Sequence, residues 1–309
     1  MLHRVRPASQ HAFSVHGSLE ITPDFLVRLI ERLRAMDIDL VDLDEAARRL
    51  ETDEPARRFA CITLDDGYRD NYEYARPIFE KYDAPYTVYL TTGLPDQDVI
   101  FWWLVLEETV RTRDQVSVWI DGEVERHDAQ TIEAKHVIYA RLHKRFRDLP
   151  AAACAEAATR LCDDIGLDPV AFCAQHGMSW EMVREIAGSR LGHIEAHTMK
   201  HMAVSRLSRD EMIRDIEGGI DRTVSETGVR PKHFAYPFGD RLAAGPRDFA
   251  ILGEMPIVTA TTTIEGVLQR RHRLNKLALP RLGVNGYYQS DDYLNLLFRG
   301  VAPLLSMNR

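Results

Sequence analysis

Two short stretches hold the residues that could do chemistry. The first is TLDDG at 63–67, where Asp65 and Asp66 are adjacent carboxylates directly before a glycine. Taken alone it reads as turn chemistry, because Asp and Gly end strands for conformational reasons. The second is HTMKH at 197–201, whose imidazoles stand four residues apart and would share one face of a helical turn. That spacing suits a single metal ion, and in a chain with 12 His it equally suits a surface pair. Together the motifs say more. Two His and one Asp make a three-ligand set, which leaves a coordination position open, as catalytic zinc needs and structural zinc avoids. The other Asp is then available as the base for a water held at that position, so the chemistry indicated is hydrolysis.

These motifs need elements to hold them. The segment 21–50 has helical spacing, with Phe25, Leu26, Leu29, Ile30 and Leu33 as an apolar stripe repeated over 44–50. Residues 59–64 (FACITL) are a short apolar run halted by Asp65, Asp66 and Gly67, a buried strand ending in a turn. Helical spacing over 72–82 and the β-rich PYTVYLT at 85–91 complete a strand–helix–strand unit, hence a parallel sheet. Between 94 and 189 the rhythm changes to a mostly helical stretch rich in Ala, Arg and Glu, read as an insertion. Strand-like runs return at 191–196, 233–237, 257–261 and 277–284, with a helix over 208–226. Both motifs therefore fall at strand C-termini, where barrel enzymes keep their sites.

Composition narrows the partners. With 309 residues, 45% apolar and 28% charged, the chain is ordinary globular protein rather than collagen-like, disordered or disulfide-scaffolded. Its 39 basic and 47 acidic residues give a net charge of −8, so no basic field draws it to nucleic acid or anionic membranes. The most apolar stretch, 99–106, is closed by Glu107 and Glu108 and is far shorter than the roughly 20 residues of a membrane span. The 4 cysteines show no CxxC spacing and read as buried small hydrophobes in a reducing compartment. The N-terminus has no apolar signal core, so the expected location of the chain as written is cytoplasmic. A first strand over 2–5 would start so close to Met1 that a native start upstream is also expected.

The joint pattern resembles the polysaccharide deacetylases with the NodB homology domain, carbohydrate esterase family 4. TLDDG is similar to that family's TFDDG and HTMKH to its HSxxH or HTxxH, and the likeness continues through FAYPFGD at 234–240, TTTIEG at 261–266 and LPRLGVNG at 279–286. The resemblance implies a distorted, incomplete (β/α) barrel over 1–309 with 94–189 as its helical insertion. It implies removal of an N-acetyl, or secondarily an O-acetyl, group from a carbohydrate. Asp66, His197 and His201 would bind a divalent metal, zinc foremost, with cobalt, nickel and manganese also suited to such donors. Asp65 would be the base, and Thr198 would brace the metal loop.

In the family an RxPY motif supplies an arginine that orients the base and a backbone N–H for the oxyanion hole. Here the stretch reads AYPF: Phe238 offers the N–H, and Ala235 stands where the arginine would be. Arg281, after Pro280 in LALPRLGV, is the candidate replacement, able to hold Asp65 by a two-pronged hydrogen bond. The family's C-terminal acid histidine has no counterpart, since no His follows Gly283. His3, in an LHRV opening similar to the YHRV of one branch, is the candidate acid, and His272 the runner-up. Tyr68 and Tyr236 flank the motifs and are candidates for lining a substrate groove, whereas Trp102 and Trp103 read as core packing. The expected partner is an acetylated carbohydrate. A small non-sugar amide as substrate, or a catalytically silent carbohydrate-binding barrel, are the alternatives.

Overall fold

Strand residues alternate between two faces, and in this chain the alternation separates an apolar outer face from a polar inner one. The structure is a computed structural model that describes residues 1–9, 11–52, 57–120 and 122–299. The chain opens with β1 (Arg4–Val5), β2 (Glu20–Ile21), α1 (Pro23–Ala35), β3 (Asp39–Leu40) and α2 (Leu43–Glu51). It continues with β4 (Phe59–Ala60), β5 (Ile62–Asp66), α3 (Arg76–Lys81) and β6 (Tyr86–Leu90). Next come α4 (Trp102–Thr112), β7 (Gln115–Ile120), β8 (Glu123–Asp128), α5 (Ile132–Asp148), α6 (Ala151–Ile165), α7 (Pro169–His176) and α8 (Trp180–Ala187). The last part holds β9 (Gly192–Ala196), α9 (Arg209–Thr227), β10 (His233–Ala235), α10 (Pro246–Leu252), β11 (Thr259–Glu265), β12 (Leu279–Arg281) and α11 (Asp291–Phe298).

Six strands form one parallel sheet in the order β12-β11-β10-β9-β6-β5. On its outer face Ile62, Leu64, Val88 and Leu90 pack with Phe25, Leu26 and Ile30 of α1 and Phe79 of α3. Phe234 and Ala260 do the same with Ile216 and Ile220 of α9 and Leu252 of α10. Each buried Leu, Ile, Val or Phe among them stabilises the fold by roughly 1.5–3 kcal/mol. The apolar stripe of α1 is started by Thr22, whose Oγ1 accepts the Phe25 N–H, with Pro23 in the first turn. Alternation turns the opposite set, Thr63, Asp65, Thr87, Tyr89 and Arg281, to the concave side.

The sheet curls until its edges approach each other. The Leu2 N–H donates to the Thr63 carbonyl at 2.8 Å and the Asp65 N–H to the Leu2 carbonyl at 3.1 Å, while the Val284 N–H donates to the Met1 carbonyl at 3.1 Å. Residues 1–2 thus bridge the β5 and β12 sides, and the result is a curled half-barrel with helices outside. Among the described residues no helix is long and apolar enough to cross a membrane.

The described residues of 94–189 hold five α-helices, α4 to α8, but not helices alone. β7 and β8 pair as an antiparallel hairpin, and QVSVWI alternates exposed and buried residue by residue. That period of two is a strand signal which the expectation of a mostly helical stretch passed over. The apolar side of the hairpin packs with α4, α5 and α6 around Leu106, Val118, Leu142 and Leu161. The helix expected over 72–82 starts as a π turn, Asn71–Ala75, because Pro77 has no N–H to continue the regular ladder. Cys154, Cys162 and Cys173 are buried and Cys61 half-buried, all as free thiols.

Candidate active site

Adjacent strand residues face opposite ways, so Asp65 and Asp66 can serve one site only if the chain leaves strand geometry between them. It does so at Asp66, where φ is 76°, followed by Gly67 at 89°. A non-glycine residue in this region costs of order 1–3 kcal/mol, a cost met by the contacts the two side chains then make. Asp65 turns into the barrel and Asp66 toward its mouth.

Asp65 is held by Arg281 in a forked pair, Nη1 to Oδ1 at 2.7 Å and Nη2 to Oδ2 at 2.7 Å. The guanidinium is itself fixed, with Nε donating to the Thr262 carbonyl at 2.9 Å and Nη1 to Thr63 Oγ1 at 3.3 Å. Both partners are buried. Burial alone would raise the Asp65 pKa, but the charge and hydrogen bonds of Arg281 hold it below the usual carboxylate range. The carboxylate is therefore an ionised, oriented acceptor.

Asp66 faces the two imidazoles. Its Oδ1 lies 3.3 Å from His197 Nε2 and 3.1 Å from His201 Nε2. His197 follows β9 and donates from Nδ1 to the Ala235 carbonyl at 2.8 Å, which leaves its Nε2 lone pair directed at Asp66. Residues 198–201 do not make the helical turn that the spacing suggested. Thr198 (φ 64°) and His201 (φ 52°) are both left-handed, and Thr198 Oγ1 accepts the His201 N–H at 3.0 Å, so a tight loop brings the rings together instead. Beneath the loop Asp215 accepts the Met199 N–H at 3.3 Å, with burial pushing its carboxyl up to about 6. Burial would also raise the Asp66 pKa, but the two histidines pull it well below the usual range.

The walls come from elsewhere. The Trp103 ring lies 4.8 Å from that of His201 and its Nε1 donates to the Tyr68 hydroxyl at 2.7 Å, while the Phe238 ring stands 4.9 Å from His201. Phe238 has φ 61° and Gly239 φ 60°, and the Phe238 carbonyl accepts from Thr263 Oγ1 at 2.7 Å. Its N–H makes no hydrogen bond among the described residues. His3 is half-buried beside this group. Burial lowers its pKa, against the pull of the Asp66 and Asp65 charges. His272 is not here: it sits in the turn Arg270–Leu274 against α2, its Nδ1 accepting the Gln269 N–H at 2.9 Å.

The two tyrosines expected to line a groove do not. Tyr68 is 2% exposed, with its ring between Phe101 and the Arg4 guanidinium and its hydroxyl committed to Trp103. Tyr236 is fully buried and donates to the Leu277 carbonyl at 3.0 Å. Tyr236 shares strand parity with outward-facing Phe234, a sign that was legible in the sequence. Thr262, Asp215 and the contact of Trp103 with His201 had no such sign.

The site thus combines an oriented carboxylate, a three-donor pocket, a free N–H and a histidine. The family model described as polysaccharide deacetylase matches residues 52–246, a span that includes Asp65, Asp66, His197, His201 and Phe238. The chain belongs to the polysaccharide deacetylase family. Its class is therefore that of a hydrolase that deacetylates carbohydrate. Solved structures agree on the half-barrel fold. A Streptococcus pyogenes deacetylase, PplD, in complex with acetate has a TM-score of 0.59 at 16% identity, covering 90% of this chain and 88% of that one. A polysaccharide deacetylase from Bacillus cereus gives 0.60 at 12%, covering 96% and 67%. IcaB from Ammonifex degensii gives 0.57 at 16%, covering 97% and 94%. Among curated proteins the chain has no match. In this polysaccharide deacetylase the arginine that holds Asp65 comes from β12, outside the matched span, while Ala235 accepts from His197 Nδ1 with its carbonyl.

Proposed function

We propose that this polysaccharide deacetylase removes N-acetyl groups from a carbohydrate with the help of a divalent cation, releasing acetate. The observation that carries the reading is the division of labour between neighbouring carboxylates: Asp65 is committed to Arg281, and Asp66 to two imidazoles.

The donor set suits a cation. Asp66, His197 and His201 offer ligand atoms that all lie within 4.8 Å of one another, and all three residues are buried. Donors bound at about 2.0–2.1 Å around a tetrahedral ion would be spaced by roughly 3.3 Å, close to the 3.3 and 3.1 Å from Asp66 Oδ1 to the two imidazole nitrogens. The Nδ1 atom of His201 is buried without a partner among the described residues. Zinc fits this set, as do cobalt, nickel and manganese. Such an ion supplies Lewis acidity toward water and toward the acetyl carbonyl.

The chain's own residues do the rest. Asp65, kept ionised and aimed by Arg281, accepts the proton of the attacking water. The Phe238 N–H donates to the oxygen that gains charge as the carbonyl carbon becomes tetrahedral. His3 donates a proton to the amine nitrogen as the C–N bond breaks, so acetate and the free amine leave.

Acetate release from N-acetylglucosamine oligomers by metal-loaded protein tests the reading, with Asp65→Asn and His201→Ala alongside and the metal content of each measured. Release by wild type, none by fully metallated Asp65→Asn, and loss of metal from His201→Ala are expected. Silence from fully metallated wild type would overturn the N-acetyl carbohydrate reading and favour a non-sugar amide. Retained metal in His201→Ala would overturn the ligand set.

A further inference from the structure

We infer that Arg147, on the insertion helix α5, is a positioning residue for the Phe238 N–H. This rests on the deacetylase reading given above.

The Phe238–Gly239 turn is two consecutive left-handed residues, φ 61° and 60°, and the first is a bulky aromatic that the conformation disfavours. Gly239 is needed there because a Cβ would come within 2.7 Å of the Thr263 N. From the barrel side the turn is held by Thr263, whose Oγ1 donates to the Phe238 carbonyl at 2.7 Å and whose N–H donates to the Gly239 carbonyl at 3.0 Å. These bonds fix carbonyls and leave the side chains of Phe238 and Asp240 to other partners.

Arg147 holds both. Its guanidinium lies over the Phe238 ring at 4.7 Å, and its Nη2 reaches both Asp240 oxygens at 2.7 Å. Asp240 in turn caps the next turn, Oδ1 accepting from Leu242 N at 2.9 Å and Ala243 N at 3.0 Å. One planar cation thus grips the residues on either side of Gly239, as an ammonium would not. The Phe238 ring also meets the His201 ring edge-on, with centroids 4.9 Å apart. Phe238 also packs against the apolar core of the insertion, so α5 approaches the oxyanion turn through packing as well as through charge. Contacts of the ring with both Arg147 and His201 restrain the peptide that carries the free N–H. The insertion is thereby built into the catalytic geometry of the barrel.

Hydrogen exchange and kinetics on metal-loaded wild type, Arg147→Lys and Arg147→Ala test this, with the β6 peptide as the internal standard of folding. Arg147→Ala should speed exchange in the 236–242 peptide about tenfold and leave β6 unchanged. Its kcat for acetate release from N-acetylglucosamine oligomers should fall about tenfold, less than the loss on removing an oxyanion donor outright, with KM and bound metal within about twofold. Arg147→Lys, which keeps the ion pair and loses the planar stack, should lie between. Unchanged exchange overturns the proposal, and so does faster exchange with kcat intact. Absence of acetate release from wild type would overturn the deacetylase reading instead, and the exchange comparison would still decide whether Arg147 holds the turn.

Discussion

Arg281 and Asp65 are 216 residues apart in sequence and lie on the two edge strands of the six-stranded sheet, yet two guanidinium nitrogens meet two carboxylate oxygens at 2.7 Å each. The pair closes the concave side that the backbone of residues 1–2 bridges below it. It also resolves which of two adjacent aspartates is free to meet the histidines.

Arg281→Met should show what the pair does for stability. In wild type the folded Asp65 pKa is depressed, so its contribution is complete above the unfolded value and is lost as pH falls through the folded one. In the variant burial outweighs the weaker pull of His3 and His197, the folded pKa rises above the unfolded value, and the sign inverts. Loss of about 3–5 kcal/mol at pH 7 is expected, part of it recovered as the medium is acidified. Urea denaturation at pH 7 and pH 4 measures this, and an equal deficit at both would refute the electrostatic account.

His3→Gln separates acid catalysis from packing. Departure of an amine needs a proton, whereas an aryl acetate releases a phenolate that leaves without one. The variant should lose roughly 10²-fold in kcat on an N-acetyl sugar and little on 4-nitrophenyl acetate. Burial holds the His3 pKa below its ordinary value, so wild-type amide turnover should decline as pH rises through that range, and the variant should not share the decline. Equal losses on both substrates would remove His3 from the acid role.

Lys135→Met probes the packing of α5 on the end of α4. The buried ammonium ends α4 by donating to the Val110 carbonyl at 2.7 Å and to those of Arg111 and Arg113 at 3.0 Å. Its removal leaves carbonyls unsatisfied and should cost roughly 1–3 kcal/mol. Thermal denaturation checks the cost, and a neutral substitution would mean that water replaces the ammonium.

Much of the site was legible because it is local. TLDDG and HTMKH each place ionisable groups within five residues of one another at strand ends. The outer helices were legible for the same reason, since a stripe such as Phe25, Leu26, Leu29, Ile30 and Leu33 states its buried face outright. The hairpin of β7 and β8 was equally local, and its period of two was hidden only by the helical composition around it.

What the sequence by itself determined was the inventory: paired carboxylates, paired imidazoles, and a strand–helix rhythm that sets them at one end of a parallel sheet. The tertiary structure decided how the inventory is assigned. Asp66 turns away from Asp65 through a left-handed backbone, Arg281 arrives by the curl of the sheet, Tyr68 and Tyr236 disappear into packing, and Arg147 reaches Phe238 from a separate helix. Composition and spacing report neighbours along the chain. Exposure, charge partners and backbone strain depend on which distant segments fill the space around a side chain, and only the folded packing sets that.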